Sequence, residues 1–282
     1  MVKSASLRRQ TIRNQIVIAT LSLIALVVIL FPIYWMLNVA VRPAREILTS
    51  PPSLIPTTMT LEYLGDILRN ADQVLYYRNS ILLTVGTLFV TLFLSTLAAY
   101  GLSRYRLKGR NVIMLSIVSV LMLPPILLVI PYFRLAHILG VFDTVIALLI
   151  FNVAYSLPVC TWLMKGYMDN TPRALEESAM MDGCNRLQAI WHVLLPVMRP
   201  ALIGTGTFVV VKTWNEYIMA ITLTDTPESQ PLTVGLASFF GQYIRDWNSI
   251  MALTTLAVAP LIVIFVVFQR YVIQGMSSGA LK

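Results

Sequence analysis

The chain has 282 residues, 57% of them hydrophobic and only 12% charged, and a mean hydropathy of +0.75, whereas soluble domains are about 25% charged; this is not the composition of a soluble globular enzyme. The net charge of +8, with no basic stretch interleaved with aromatic residues, points to loops facing a membrane surface and to no nucleic-acid partner. Cys160 lies in an apolar run and Cys184 in a polar connection, and His137 and His192 are far apart, so neither a disulfide framework nor a metal site is expected.

A bilayer core about 30 Å thick is crossed by roughly 20 apolar residues in a helix. Five runs without a single Lys, Arg, Asp or Glu meet that requirement, at residues 16–37, 79–103, 111–133, 144–164 and 247–269. A sixth, 200–223, is interrupted by Lys212 and Glu216, a charged pair that protein surroundings tolerate where lipid does not. The first run follows Lys3, Arg8, Arg9 and Arg13, as a signal-peptide core would, but its 22 residues exceed the roughly 7–15 of such a core, so it is expected to remain as a span. Six spans place both termini on one side of the membrane. Fourteen of the 21 Lys and Arg residues fall on that side, which is therefore expected to be cytoplasmic. The organisation expected is a cytoplasmic segment at 1–15, a transmembrane domain at 16–273 and a cytoplasmic tail at 274–282.

Along the chain, the outer connection 38–78 holds a proline-stiffened stretch, Pro51-Pro52-Ser53-Leu54-Ile55-Pro56. Thr60 follows as an N-cap for a short helix with Leu61, Leu64, Ile67 and Leu68 on one face. Pro32, Pro124, Pro125, Pro131, Pro158 and Pro260 fall within spans, where bent helices suit a pathway but are also simply tolerated. In the fourth span Asn152, Tyr155 and Ser156 mix hydroxyl and amide groups with an aromatic face. In the fifth, Lys212 and Glu216 are spaced for one helical face, beside Trp214, Asn215 and Tyr217. These eight residues either line a solute path or pair within the membrane to hold helices in register. The second outer connection, 224–246, contains the apolar segment 232–244, too short to cross; it lies at the interface or dips back among the helices.

The inner connection 165–199 is the most informative part of the chain. Thr171 can cap a helix with Pro172 at its first position, Glu176 and Glu177 sit near that end, and Gly183 ends or bends it. Beyond it, Leu187, Ile190, Trp191, Leu194 and Leu195 recur at helical spacing, giving a second amphipathic helix that stops at Pro196. Two short helices joined by a glycine corner can dock in a cleft of another protein and act as a lever, or can be an ordinary interfacial connection, with Met180 and Met181 as docking surface or packing.

This stretch resembles the EAA loop of ABC-importer permeases, Glu-Ala-Ala, three residues, Gly, nine residues, then Ile-x-Leu-Pro. The pattern falls on Glu177, Ser178 and Ala179, then Gly183 preceded by Asp182, then Val193, Leu195 and Pro196, with Ser178 in place of an alanine and Val193 in place of the isoleucine. Further fragments similar to the maltose-type sugar branch are Arg42-Pro43 with Glu46, Asn79-Ser80, Ala99-Tyr100-Gly101-Leu102-Ser103-Arg104, Trp214-Asn215-Glu216-Tyr217 and the tail from Gln274 to Ala280. The resemblance implies an all-α polytopic fold of six transmembrane helices, the type I ABC-importer permease fold, in a bacterial inner membrane among membrane lipids. It implies a sugar substrate, a second permease subunit forming a heterodimer, two ATP-binding subunits and an extracytoplasmic solute-binding protein. ATP and Mg would be used by the ATPase partners and no cofactor held by this chain, in agreement with the lack of a G-x-x-x-x-G-K-[ST] phosphate loop. A polyol or glycerol phosphodiester permease of the same superfamily is the alternative. A membrane-embedded hydrolase or transferase built on Glu216 and Lys212 lacks a nearby nucleophile with a base.

Overall fold

A computed structural model describes residues 2–47, 49, 53–120, 122–242 and 246–280, with side chains over 14–240 and 246–269 of these. Every regular element among them is helical, as the composition and spans lead one to expect. The chain divides into two units, Met1–Arg69 with Tyr243–Leu256, and Asn70–Gln242 with Ala257–Lys282.

The first unit begins with α1 (Val2–Ala40), which is apolar on all sides and exposed from Ile16 to Phe31, the pattern of a helix whose surroundings are lipid or another membrane protein. Its C-terminal end is tied down. Asn248 Nδ2 donates to Val39 O at 3.0 Å and Arg42 O at 2.5 Å, which supplies partners for carbonyls that a helix C-terminus leaves open. Arg42 is buried, with Nη2 donating to Ser53 O at 2.7 Å and its guanidinium 5.8 Å from the Trp35 ring. After α2 (Ala44–Ile47), Glu46 accepts from Thr57 and Thr58. Thr60 Oγ1 accepts from Glu62 N at 3.2 Å at the head of α3 (Glu62–Arg69). Of the apolar face expected there, Ile67 alone is buried, while Leu61 and Leu68 are exposed. Pro51 and Pro52 lie outside the described residues.

In the second unit, α4 (Ala71–Arg104) starts at the Asn70 cap, whose side chain accepts from Asp72 N and Gln73 N, well ahead of the expected opening at Asn79-Ser80. The expected single span 111–133 is instead broken. It forms α5 (Arg110–Val120), a 3-10 turn at Pro125–Leu128 and α6 (Val129–Ile138), the two parts bent by 93°. Pro124 and Pro125 supply no amide donors, and a residue preceding proline is driven out of the helical region, as Pro124 is at φ −61°, ψ 130°. Next comes α7 (Val145–Asn170), capped by Thr144 Oγ1 on Ala147 N and running past the expected end at Met164. The connection 165–199 contains α8 (Ala174–Met181), α9 (Arg186–Ala189), a π-turn at Ile190–Leu194 and α10 (Leu195–Val197). The expected fifth span, 200–223, is α11 (Arg199–Trp214) and α12 (Ile218–Leu223) with a break between them. Last are α13 (Leu232–Gln242) and α14 (Trp247–Ala280).

Helices α4 and α7 run parallel. Leu83 near the start of α4 shares a core with Ala147, Leu148 and Phe151 at the start of α7, and Ala99 and Tyr100 near its end share another with Met164 and Met168. Thr87, Thr91, Ser95 and Ala99 are completely buried on α4, small side chains that let helices approach closely where lipid offers no hydrophobic drive to association. α11 packs on both helices. α13 folds back onto α4, with the Tyr76 ring so close to Gly235 that a Cβ there would lie 2.2 Å from it, which resolves the placement of the short apolar segment as far as residue 242.

Candidate functional site: an inner elbow and an intramembrane polar cluster

The elbow between α7 and α11 is built by local rules. Thr171 does not cap α8: its backbone is extended, as suits a residue before proline, and its hydroxyl donates back to Tyr167 O at 3.0 Å, closing α7 instead. α8 therefore begins at Ala174. At its other end Gly183, at φ +92°, makes a Schellman motif, with Cys184 N donating to Ala179 O at 3.0 Å and Gly183 N to Met180 O at 3.1 Å. Asn185 then opens α9 with a reciprocal capping box to Gln188. The second helix does not stop at Pro196. It widens into the π-turn just before that residue, whose ring crowds the carbonyl four positions back in an α-turn, and runs on to Val197. A bend of 82° at Met198 leads into α11.

Ala179, Ile190 and Leu194 turn inward, the last two joining the inner core of α4 and α7. Met181 (88% exposed), Leu187 (60%) and Trp191 (56%) face outward. Of the residues the motif singles out, Glu177, Ser178, Asp182, Gly183 and Pro196 are exposed, Ala179 is buried, and Val193 and Leu195 are half-buried. Large apolar side chains left exposed on the same elbow as the exposed Glu177 and Asp182 are the kind of surface that another protein covers.

The carboxylate that anchors the elbow is Glu176, which the spacing argument passed over in favour of its neighbour. Glu176 is buried and pairs with Arg104 Nε at 2.5 Å. A carboxylate one position out of register with the exposed face of α8 is the only signal the sequence carries for it.

The intramembrane cluster comes together in part. Lys212 Nζ is 3.5 Å from Glu216 Oε2 and 5.0 Å from the centroid of the Tyr155 ring, so the fourth-span and fifth-span groups do meet. Glu216 lies beyond the end of α11, in the break, where Oε1 accepts from Met219 N at 2.9 Å and its carbonyl accepts from Thr233 Oγ1 at 2.7 Å. The carboxylate thus satisfies an amide at the head of α12 that the break would leave unpaired in an apolar setting. Trp214 is buried and donates from Nε1 to Ala257 O at 3.0 Å, while Asn215 and Tyr217 are exposed. Asn152 is buried and donates to Leu148 O at 2.9 Å; Ser156 is buried with its hydroxyl unpaired among the described residues. Asn152, Ser156, Trp214 and Glu216 are therefore turned into the protein, and Tyr155, Lys212, Asn215 and Tyr217 retain accessible surface.

Comparison with known proteins addresses the whole chain. Residues 91–278 match the family described as binding-protein-dependent transport system inner membrane component. The chain belongs to this family. It is 35% identical to the Escherichia coli inner membrane ABC transporter permease protein YcjP, over 91% of this chain and 92% of that one. It is 32% identical to the trehalose/maltose transport system permease protein MalG of Thermococcus litoralis, over 97% and 99% of the two chains. Among solved structures, a chain of a bacterial ABC transporter involved in the import of the acidic polysaccharide alginate matches with a TM-score of 0.80 at 25% identity, over 91% of this chain and 95% of that chain. The protein is thus a multi-pass membrane permease of an ABC importer, a transport subunit that works with ATPase and solute-binding partners. The all-α permease fold expected from the elbow motif is borne out.

At the opposite end of α7 from the elbow the permease carries a tightly hydrogen-bonded loop. Asp143, at φ 57°, accepts from Asp225 N at 2.8 Å, Thr226 N at 3.1 Å, Thr226 Oγ1 at 2.8 Å and Ser229 Oγ. From the other side Asn79 Nδ2 donates to the carbonyls of Pro227, Glu228 and Gln230, and Ser80 Oγ accepts from Leu232 N at 2.8 Å. Burial pushes the Asp143 carboxyl up, but the hydrogen bonds from Asp225, Ser229 and Thr226 outweigh it and hold the group at about 2, below its ordinary 3.8. A depressed carboxylate contributes stability that is fully present above its unfolded value and lost as pH falls through the folded one. Amide exchange over residues 224–231, corrected for intrinsic rates, is expected to be flat above pH 4 and to rise between pH 4 and pH 2 (a window set by 3.8 and about 2). Asp143→Asn should exchange faster already at neutral pH, and a pH-independent wild type would contradict the assignment.

Proposed function

We propose that the permease imports a sugar or oligosaccharide, as one of two non-identical permease subunits served by a pair of ATPase subunits and an extracytoplasmic solute-binding protein. The observation that carries this reading is the elbow: a rigid helical corner whose motif residues Glu177, Ser178, Asp182 and Gly183 stand exposed beside Met181 and Trp191, an apolar and acidic surface with no cover of its own. ATP and Mg are bound by the ATPase pair and not by this chain; closure of that pair turns the elbow and switches the helices between inward-open and outward-open. Ala179, Val193, Leu195 and Pro196 give the elbow its shape. Both termini face the cytoplasm, in keeping with the excess of Lys and Arg on that side.

Tyr155, Lys212, Asn215 and Tyr217 face the solute, an aromatic surface with amide and ammonium donors suited to sugar hydroxyls, while Asn152, Ser156, Trp214 and Glu216 hold that surface in place. The sugar reading is supported by the trehalose/maltose and alginate systems to which the chain is similar. The test is uptake into proteoliposomes holding the complex purified through a tag on this chain, with radiolabelled disaccharides, a polyol and a glycerol phosphodiester offered in parallel. ATP-dependent uptake of a disaccharide that requires the binding protein is expected. Uptake of the phosphodiester alone would overturn the sugar, and failure of any ATPase to co-purify would overturn the coupling.

A further inference from the structure

The elbow joins α7 to α11 through the backbone, yet its polar attachments run to the end of α4. Arg104, the last residue of α4, has a side chain only 9% exposed; its Nε pairs with Glu176 of α8, Nη1 donates to Met168 O at 2.9 Å and Nη2 to Thr171 O at 3.0 Å. One guanidinium thus holds α8 and the open carbonyls at the end of α7 at the same time. Arg173, just before α8, donates to Ser103 O at 3.2 Å, and Arg186 of α9 donates to the hydroxyl of Tyr105 with its guanidinium 5.2 Å from that ring. Ser103 Oγ donates to Asp169 Oδ1 at 2.6 Å, and Asp169 in turn pairs with Lys165 and Arg110. Residues 103–105 are therefore bonded to both halves of the elbow and to the inner end of α7. Toward α11 the connection is different in kind: a bend of 82° at Met198, spanned by main-chain bonds from Met198 N to Leu194 O at 2.8 Å and from Leu202 N to Met198 O at 3.0 Å, and apolar contacts of Met198 and Ala201.

Buried ion pairs add little net stability, because desolvation cancels most of the attraction, but a planar fork with several fixed acceptors defines an orientation. We propose that Arg104 is a positioning residue that makes the elbow, α4 and the inner end of α7 one mechanical body, so that force arriving at the elbow is delivered to α4 across the fold and not to α11 along the chain. This rests on the reading of the elbow as the ATPase contact. Lysine can keep a charge near Glu176 but cannot serve three acceptors in this geometry, whereas Glu176→Gln keeps an acceptor for Nε.

The experiment uses the assembled transporter in lipid, in a Cys160→Ala, Cys184→Ser background, with spin labels on exposed positions: Met181→Cys on the elbow paired with Leu97→Cys on α4, or with Val211→Cys on α11. The Met181–Leu97 distance is expected to be the same in the nucleotide-free and ATP-trapped states, while Met181–Val211 changes. A nucleotide-dependent change in Met181–Leu97 overturns the proposal and needs no variant of Arg104. Arg104→Lys should broaden the Met181–Leu97 distribution and raise the ATP hydrolysed per solute imported severalfold, with Glu176→Gln close to wild type; an Arg104→Lys protein with unaltered distance and stoichiometry also overturns it. If no ATPase assembles with the wild-type chain, the function proposed above falls and this inference with it. If the ATPase assembles and the elbow moves independently of α4, the link alone is wrong.

Discussion

Gly183→Val is expected to reduce ATP-driven uptake about tenfold or more while the protein still inserts and accumulates normally, the size following from the roughly 1–2 kcal/mol that an L residue pays in the left-handed region. Gly183 sits at φ +92° with open space around it, so the cost is conformational and not steric. Escaping the strain means abandoning the Schellman bonds to Ala179 O and Met180 O, which set the angle between α8 and α9. The order of activity should be Gly, then Asn, then Ala, then Val, because Asn tolerates positive φ best and a β-branched residue worst. Charge reversal at Glu177 should uncouple uptake from hydrolysis without touching the corner itself. Uptake measured against immunoblotted membrane protein decides it, and a Gly183→Val permease transporting at the wild-type rate would remove the lever from the mechanism.

Glu216→Ala and Lys212→Met are expected to differ sharply although they break the same pair. Glu216 is almost fully buried and holds three things: the Lys212 ammonium, Met219 N at the head of α12 and, through its backbone, Thr233. Removing its carboxylate leaves the Met219 amide without that partner in an apolar setting, a loss of about 1–3 kcal/mol. Lys212 keeps 32% of its side-chain surface, and its loss leaves Glu216 still bonded to Met219, so Lys212→Met should cost less than Glu216→Ala and appear mainly as altered transport. Thermal unfolding followed by size-exclusion chromatography in detergent measures the difference. Equal shifts for the two variants would mean that the carboxylate does not staple the broken helix.

Much of the architecture was legible because its causes are local or compositional. Uncharged runs long enough for a bilayer and the sequence of the elbow motif lie within short stretches, and Gly183 and Asn185 do what their side chains alone prescribe. Local rules misled where two of them competed. Thr171 has the character of an N-cap, but its hydroxyl finds Tyr167 O first and ends α7. Residues 111–133 and 200–223 are apolar enough to be single helices, yet Pro124-Pro125 and the break after Trp214 divide them.

Length and polarity determined that this is a helical membrane protein, and the motif spacing carried its resemblance to importer permeases, since burial in lipid and capping are decided residue by residue. Which groups meet was decided only by the tertiary structure. Arg104 reaches Glu176 across a separation of 72 positions, and Asp143 grips Ser229 across 86. The energy of such bonds depends on how parallel helices are set side by side, and no window of the chain records that.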